Sequence, residues 1–579
     1  MKKGTSETTF HWLLSRTRKQ QWSVWCLLLV QLLLAGGALL QTWLLRGLID
    51  AAVAKDKALF VRTAVYFVGI ILAQLALRAA LRFLREYAHA SVENALKARL
   101  FGVLLNRSYA DVSAVHSGEW MNRLTNDTTV VATGLSDIIP DVSGMVVRLV
   151  GALVLILVMI PQVAWVLVPG GLLLALFTFL FRKQLKLLHK KIQEADGRLR
   201  IFLTDRLTSM LVVRSFGREE ASMEQGEALM AEHKGARMRR SNFSNLCNVG
   251  FGMFIQGAYG AAAIYCGYGI LTGNLSYGTF VATLQLVNQV QSPFANISGY
   301  LPKYYAMLAS AERLREAELF ALDCVGPKKS AMEVAALYDC QLKELVLNDV
   351  AFSYPVREGE TGRQTLEHVN FSVEKGKIAA VTGPSGCGKS TLLKLLMCLY
   401  PLDAGERVMK CVRGDSNGSR LELLALTSAW RGLFAYVPQG NQLMSGSIRE
   451  VVSFGDLAYS DEDIWQAIDV ACAEYVHELP DGLETMIGER GAGLSEGQLQ
   501  RLAIARAICS GHPILLLDEA TSSLDEATEH RLLQNLQTMT DRTVVIVTHR
   551  LGVLDICQKE IRMSEEGIEV RELGAEAQG

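Results

Sequence analysis

The chain lacks a surplus of either charge: 58 basic side chains against 59 acidic ones leave a net charge of −1 over 579 residues. Without a basic surplus it carries no electrostatic footprint for nucleic acid, so no such partner is expected. It also lacks cysteine pairs. The eleven cysteines are scattered, with no C-x-x-C and no Cys/His cluster at metal spacing, which excludes a zinc module and a disulfide scaffold. Residues 1–20 lack an apolar core followed by a small-residue cleavage site, so no cleavable signal is visible there. What the chain has in abundance is apolar length. Half of it is hydrophobic, and the first 320 residues hold nearly all the long apolar runs. The remainder has the mixed composition of a soluble α/β domain.

Six stretches reach the roughly 20 apolar residues needed to cross a bilayer. They lie near 22–46, 59–81, 140–160, 163–181, 247–271 and 279–302, which makes residues 1–320 a multi-pass membrane domain. The links after the third and fifth spans are short and uncharged. Those after the second and fourth, residues 82–139 and 182–246, are long, helical in pattern and rich in Arg, Lys, Asp and Glu. Long basic links belong on the cytoplasmic side, and both termini go with them. Lys55 and Lys57 in the first loop run against that assignment. Each long link reads as two helices turning back midway. The expected turn signals are Ser117-Gly118-Glu119 with Arg123 to Asp127, and Arg206 to Glu220. Near the start, Phe10, Trp12, Leu13 and Leu14 precede Arg16, Arg18 and Lys19. That pattern reads as an interfacial helix within 1–20, with a frayed basic tail as the alternative.

Polar residues inside the spans point to a cavity or to helix contacts, because each is costly in hydrocarbon. Gln285, Gln289, Ser292 and Asn296 share one helix face, with Pro293 among them. Arg148 lies 13 residues before Pro161, about 20 Å along a helix, which places it in the inner half of the membrane. Substrate contact, a carboxylate partner and snorkelling are all open for it. For the stripe, a water-filled cavity and helix-to-helix hydrogen bonds are both open.

The second half carries phosphate chemistry. Gly383-Pro384-Ser385-Gly386-Cys387-Gly388-Lys389-Ser390 fits G-x-x-x-x-G-K-[ST]. A buried-strand pattern at Ile378 to Thr382 precedes it, and a helical one through Thr391 follows. Glycines turn backbone N–H groups onto phosphate oxygens at a helix start. Lys389 supplies a charge to the β- and γ-phosphates, and Ser390 offers a hydroxyl to Mg²⁺. A second strand, Ile514 to Leu517, ends in Asp518-Glu519. One acid there can hold Mg²⁺ through water and the other can orient an attacking water. His549 follows a strand at Thr543 to Val547, within reach of a γ-phosphate. Tyr354, in Phe352-Ser353-Tyr354-Pro355, offers an aromatic face to adenine.

Taken in order, these motifs resemble the ATP-binding cassette (ABC) transporter family. Leu494-Ser495-Glu496-Gly497-Gln498 is similar to its LSGGQ signature, and Gly488-Glu489-Arg490-Gly491 to the segment before it. Tyr436-Val437-Pro438-Gln439 resembles the Q-loop and Ser522-Ser523-Leu524-Asp525 the D-loop. Six spans followed by one cassette is the layout of an exporter-type half-transporter. The resemblance implies an α-helical transmembrane domain, a linker at 321–343, and a P-loop α/β nucleotide-binding domain at 344–579. It also implies ATP and Mg²⁺ as ligands. Residues 383–391 would hold the phosphates. Ser390, Gln439 and Asp518 would serve the metal, with Glu519 as general base, Gln439 as nucleotide sensor and His549 as switch. Ser495, Gly497, Gln498 and Asp525 would complete the site of an opposite chain, so a dimer is required: a homodimer by preference, or a pair with a paralogous half-transporter. The long links would carry coupling helices docking near Gln439. The expected activity is ATP-driven export of a small amphipathic molecule, lipid or peptide across a bacterial plasma membrane. The alternatives are siderophore-type import and, less favoured, a channel or regulator. Two residues depart from the family pattern: Cys387 stands where serine is commoner, and Glu496 where glycine is usual.

Overall fold

Long helices build the amino-terminal half, because a helix satisfies its own backbone where no water is at hand. The computed structural model describes residues 5–324, 326–354, 364–415, 418–440, 442–488, 493–564 and 567–573. Side chains at 5–8, 163–180, 182–183, 186, 251, 255, 292, 294–298, 301, 364, 413–415 and 418–419 lie outside that description. The chain divides into two units, residues 1–100 with 121–315, and residues 101–120 with 316–579.

The helices in chain order are α1 (Thr5–Arg16), α2 (Gln21–Val53), α3 (Lys57–Asn106), α4 (Tyr109–Ser113), α5 (Ser117–Asn122), α6 (Thr128–Thr133), α7 (Ile139–Met159), α8 (Pro161–Thr208), α9 (Met210–Ser215), α10 (Glu219–Leu271) and α11 (Tyr277–Glu316). Among the described residues, four helical runs are long and apolar enough to cross a membrane: Gln21–Val53, Lys57–Asn106, Ser117–Met159 and Glu219–Leu271. They contain four of the expected spans. The other two, near 163–181 and 279–302, fall in α8 and α11, where side chains 163–180 and 294–298 lie outside the described residues. In the first unit α7, α10 and α11 pack through Ala152, Ile156, Cys266, Leu286 and Val287. Pro293 and Pro302 sit inside α11 without ending it.

The turn of the first long link falls at 107–116, earlier than Ser117-Gly118-Glu119, which instead opens the returning helix. Distant partners decide this. Ser108 N donates to Ala321 O (2.9 Å), Arg107 to Phe320 O (2.8 Å), and the Trp120 indole to Val112 O (2.9 Å). Arg123–Asp127 is a π-helical stretch within that returning helix, and Gly134–Ile138 is a second. Asp127, with 0% side-chain exposure, accepts from Ser310 Oγ (2.8 Å) and from Arg313 Nε (2.8 Å) and Nη2 (2.5 Å) on α11. The second link turns at α9, inside the expected stretch Arg206 to Glu220.

The second unit gathers residues 101–120 around the cassette. The stretch 321–343 is more than a linker: α12 (Ala331–Cys340) starts on a capping box between Ser330 and Glu333 and buries Val334, Leu337 and Tyr338. Strands β1 (Leu342–Ser353), β2 (Gln364–Glu374), β4 (Ala404–Asp415) and β5 (Gly418–Ala425) form an antiparallel sheet in the order β2-β1-β4-β5. The main sheet runs β12-β11-β3-β10-β9-β6, from β3 (Ile378–Thr382), β6 (Phe434–Val437), β9 (Ile514–Asp518), β10 (Thr543–Val547), β11 (Lys559–Ser564) and β12 (Gly567–Glu572). Its strands are parallel except at the β12 edge. The short pair β7 (Gly446–Ser447) and β8 (Met486–Ile487) stands apart. Helices α13 (Lys389–Leu396), α14 (Ile448–Ser453), α15 (Asp461–Val470), α16 (Glu496–Cys509) and α17 (Glu526–Thr538) complete the domain. One core joins both sheets through Leu347, Phe371, Val381, Leu392, Leu516 and Val547. All eleven cysteines are free.

Candidate functional site

Parallel sheets collect chemistry at the carboxyl ends of their strands, and this one does so at β3, β6, β9 and β10. Leaving β3, the chain enters the phosphate loop with Gly383, Gly386 and Gly388 at φ +139°, +84° and +99°. A Cβ on Gly383 would sit 2.2 Å from Met563 O, and one on Gly388 would sit 2.6 Å from Leu366. Only glycine fits these two positions. The loop ends at the start of α13, where unpaired backbone N–H groups attract anions. Lys389 is buried, with its ammonium folded back onto the carbonyls of Gly383 and Pro384, 2.9 Å from each. Pro384, Ser385 and Gly386 are exposed on the loop, and Cys387 is half-buried.

Asp518 ends β9 at 1% exposure. Ser390 Oγ donates to its Oδ1 (2.9 Å) and Tyr436 Oη to its Oδ2 (3.0 Å). Burial pushes the Asp518 carboxyl up, while these two donors pull it down. Burial, with the charge and hydrogen bond of Asp518 added, drives the Tyr436 phenol far above its ordinary value. Glu519 turns out of the strand at φ +52°, a conformation that costs a non-glycine residue about 1 kcal/mol or more. Its N–H is held by Val547 O at 3.0 Å. Gln439 Nε2 donates to Glu519 Oε2 (2.8 Å), and His549 Nε2 lies 3.3 Å from Oε1. Gln439, Glu519 and His549 therefore form one contiguous polar group on three strand ends.

Among the described residues no group of three or more His, Cys, Asp or Glu is placed to hold a metal. The protein instead offers the Ser390 hydroxyl, the Asp518 carboxylate and the Gln439 amide. Few, hard oxygen donors of this kind fit Mg²⁺, which fills the rest of its shell with water and phosphate.

Tyr354 is half-buried and shares a hydrogen bond with Thr391 Oγ1 (3.0 Å). Its ring meets Phe352 and Tyr400 edge-on, at centroid distances of 4.9 and 5.3 Å. Tyr400 also takes the Tyr109 ring of α4, edge-on at 5.6 Å, and shares a 3.3 Å hydrogen bond with Ser113. The α4 turn thus docks on Tyr400.

The signature tract begins α16. Ser495 caps it: Gln498 N donates to Ser495 Oγ (3.3 Å) and Ser495 N to Gln498 Oε1 (2.8 Å). Gly497 lies against the D-loop, where a Cβ would meet Ser523 O at 2.8 Å. Gln500 fixes the same loop through Ser522 Oγ (3.0 Å) and Ser523 N (3.0 Å). Asp525 caps α17 through Thr528 N (3.0 Å), a bond that holds its carboxyl below the usual range. Glu496 is exposed in the first turn of α16, where a carboxylate suits the helix dipole. Glu489, Arg490 and Gly491 lie outside the described residues. Among the described residues no hydrogen bond joins Ser495, Gly497, Gln498 or Asp525 to the phosphate loop. Sequence reasoning passed over Tyr436, Gln500 and Arg550, whose guanidinium holds Ser522 O and Leu524 O (2.9 and 3.0 Å). Tyr436 stood inside a quoted motif; only strand pairing reveals its partner.

In the membrane half, Gln289 Nε2 donates to Thr42 Oγ1 (3.1 Å), a helix-to-helix bond. Arg148 Nε, Gln285 Oε1 and Gln289 Oε1 are buried without a hydrogen-bond partner among the described residues. Ser292 and Asn296 belong to the same face, but their side chains lie outside the described residues.

The family described as "ABC transporter transmembrane region" matches residues 24–294, and the one described as "ABC transporter" matches residues 366–522. A Bacillus subtilis protein named "Uncharacterized ABC transporter ATP-binding protein YwjA" is 29% identical over 89% of this chain and 87% of its own length. An "ATP-dependent lipid A-core flippase" of Pseudomonas fluorescens is 31% identical over 79% of this chain and 74% of its own. A solved structure described as a "bacterial Atm1-family ABC exporter with ATP bound" superimposes with a TM-score of 0.77. It is 21% identical, covering 96% of this chain and 95% of the other.

Proposed function

Because this chain belongs to the ABC transporter family, as an integral membrane protein joined to its own ATPase, we propose that two copies work together as an exporter. The observation that carries this reading is the meeting of Ser390, at the start of α13, with Gln439, Asp518, Glu519 and His549 at the ends of adjacent strands. ATP phosphates would lie along Gly383 to Thr391, displacing the Lys389 ammonium from its two carbonyls. Adenine would rest on Tyr354. Ser390 and Asp518, with Gln439, would hold Mg²⁺, which supplies charge neutralisation at the phosphates when bound. Glu519 would accept the proton of the attacking water, oriented by Gln439 and His549. Among the described residues, Ser495, Gly497, Gln498 and Asp525 make no hydrogen bond to their own phosphate loop, which supports their service to a second chain. A homodimer is the simpler partner, since neither Glu519 nor His549 is missing. Ends of the chain and cassette would face the cytosol of a bacterial plasma membrane. The domain limits would be 1–320, 321–343 and 344–579, with 101–120 and α12 folding onto the cassette.

Export is favoured because relatives with the same joined layout carry names such as lipid A-core flippase and "Multidrug resistance ABC transporter ATP-binding and permease protein". A small amphipathic cargo follows from the same names, and Arg148, Gln285 and Gln289, with Ser292 and Asn296, would line its cavity. The test is Glu519→Gln in lipid discs. ATP should stay bound while steady-state hydrolysis falls by about 10²–10⁴-fold; undiminished turnover would assign the base elsewhere.

A further inference from the structure

Asp518 is held from both sides, and only one of the two donors remains after a metal arrives. Ser390 Oγ donates to Oδ1 at 2.9 Å and Tyr436 Oη to Oδ2 at 3.0 Å. A Ser390 hydroxyl that turns to a cation leaves Tyr436 as the donor that fixes the carboxylate plane. Parallel pairing sets the reach: Tyr436 stands opposite Leu516 on β9, and Val437 opposite Leu517. The Tyr436 side chain therefore spans to the strand end, two residues further on. Its ring is half-buried against the core beneath the phosphate loop. On the same strand exit, Gln439 binds Glu519 at 2.8 Å. One short segment thus grips both acids of the site.

The geometry points to Tyr436 as a positioning residue that orients Asp518 for Mg²⁺ and ties the metal site to the Gln439 loop. It acts through Asp518 and touches neither nucleotide nor metal. This rests on the reading of Ser390 and Asp518 as the metal site, and the experiment separates the two. Mn²⁺ affinity is measured on the full ATP-loaded chain by the spin-resonance signal of free Mn²⁺, with ATP affinity in EDTA as control. Tyr436→Phe keeps the ring and removes the hydroxyl. Loss of one hydrogen bond to a charged group predicts metal binding about tenfold weaker, with ATP affinity in EDTA unchanged. In an Asp518→Asn background the same substitution should add less than about twofold. Unchanged Mn²⁺ affinity in Tyr436→Phe overturns the assignment. An equal loss of ATP affinity in EDTA also overturns it, as a structural role. If Asp518→Asn itself leaves Mn²⁺ binding intact, the metal-site reading falls and this inference with it. Tyr436→Leu carries the same expectations where the phenylalanine form yields too little protein.

Discussion

The Asp127–Arg313 pair gives a prediction whose sign follows from unequal burial. Asp127 is completely enclosed, whereas the Arg313 side chain is 41% exposed. The carboxylate accepts from Ser310 once and from Arg313 twice. Arg313→Ala removes two of these donors and leaves a buried charge with Ser310 alone. Breaking a buried pair in this direction costs about 3–5 kcal/mol. Asp127→Ala leaves an arginine that already reaches solvent and still donates to Ser310 Oγ at 3.1 Å. Its cost is the lost hydrogen bonds, chiefly that of buried Ser310, about 1–3 kcal/mol. The arginine variant should therefore be the less stable of the two. For a unit of this size each kcal/mol moves the thermal midpoint by about 2 °C. At the middle of each range the gap is about 2 kcal/mol, so Arg313→Ala should melt about 4 °C below Asp127→Ala when both are scanned in one detergent at one rate. The double variant should melt above the sum of the singles, because the stranded charge is gone. An Asp127→Ala midpoint at or below that of Arg313→Ala would refute the argument from burial.

Two further outcomes are expected. Cys387 is a half-buried thiol whose Sγ lies 3.2 Å from where a Gly383 Cβ would be. A bulky maleimide should abolish ATP binding, prior ATP should protect, and Cys387→Ser should remove the sensitivity, all read by fluorescent-nucleotide binding. Arg148→Ala should reduce stimulation of ATPase by anionic amphiphiles relative to neutral ones in lipid discs. Equal stimulation of both classes would remove Arg148 from the cavity.

Local signals were readable and long-range ones were not. The strands Ile378–Thr382 and Thr543–Val547 stand as expected, since short β-branched runs bounded by turn residues need no distant partner to announce themselves. The phosphate loop was legible for the same reason: its spacing is local. Position 107–116 was missed because no Gly or Pro marks it; Ala321 and Phe320, more than 200 residues away, close that turn. Ser330 and Glu333 form a capping box written plainly as S-x-x-E, yet the family resemblance implied only a linker at 321–343. Tyr436 was visible as a residue, but its partner depends on β6 lying beside β9. The π-helical stretches have no sequence signature at all, arising where Asp127 and Gly134 are fitted to α11.

The α4 turn lies between two membrane helices in sequence, yet it folds with the cassette. Three contacts hold it there. Tyr109 meets Tyr400 edge-on, Ser113 bonds the Tyr400 hydroxyl, and Ala110 is buried in the cassette core. An aromatic pair contributes about 0.5–1.5 kcal/mol beyond its buried area, and one neutral hydrogen bond about 1 kcal/mol. A link of that order matches the 1–3 kcal/mol typical of coupling between distant sites. Tyr400 then touches Tyr354, and Tyr354 bonds Thr391 at the start of α13. The aromatic chain Tyr109, Tyr400 and Tyr354 thus joins the seat of α4 to Thr391 at the phosphate loop.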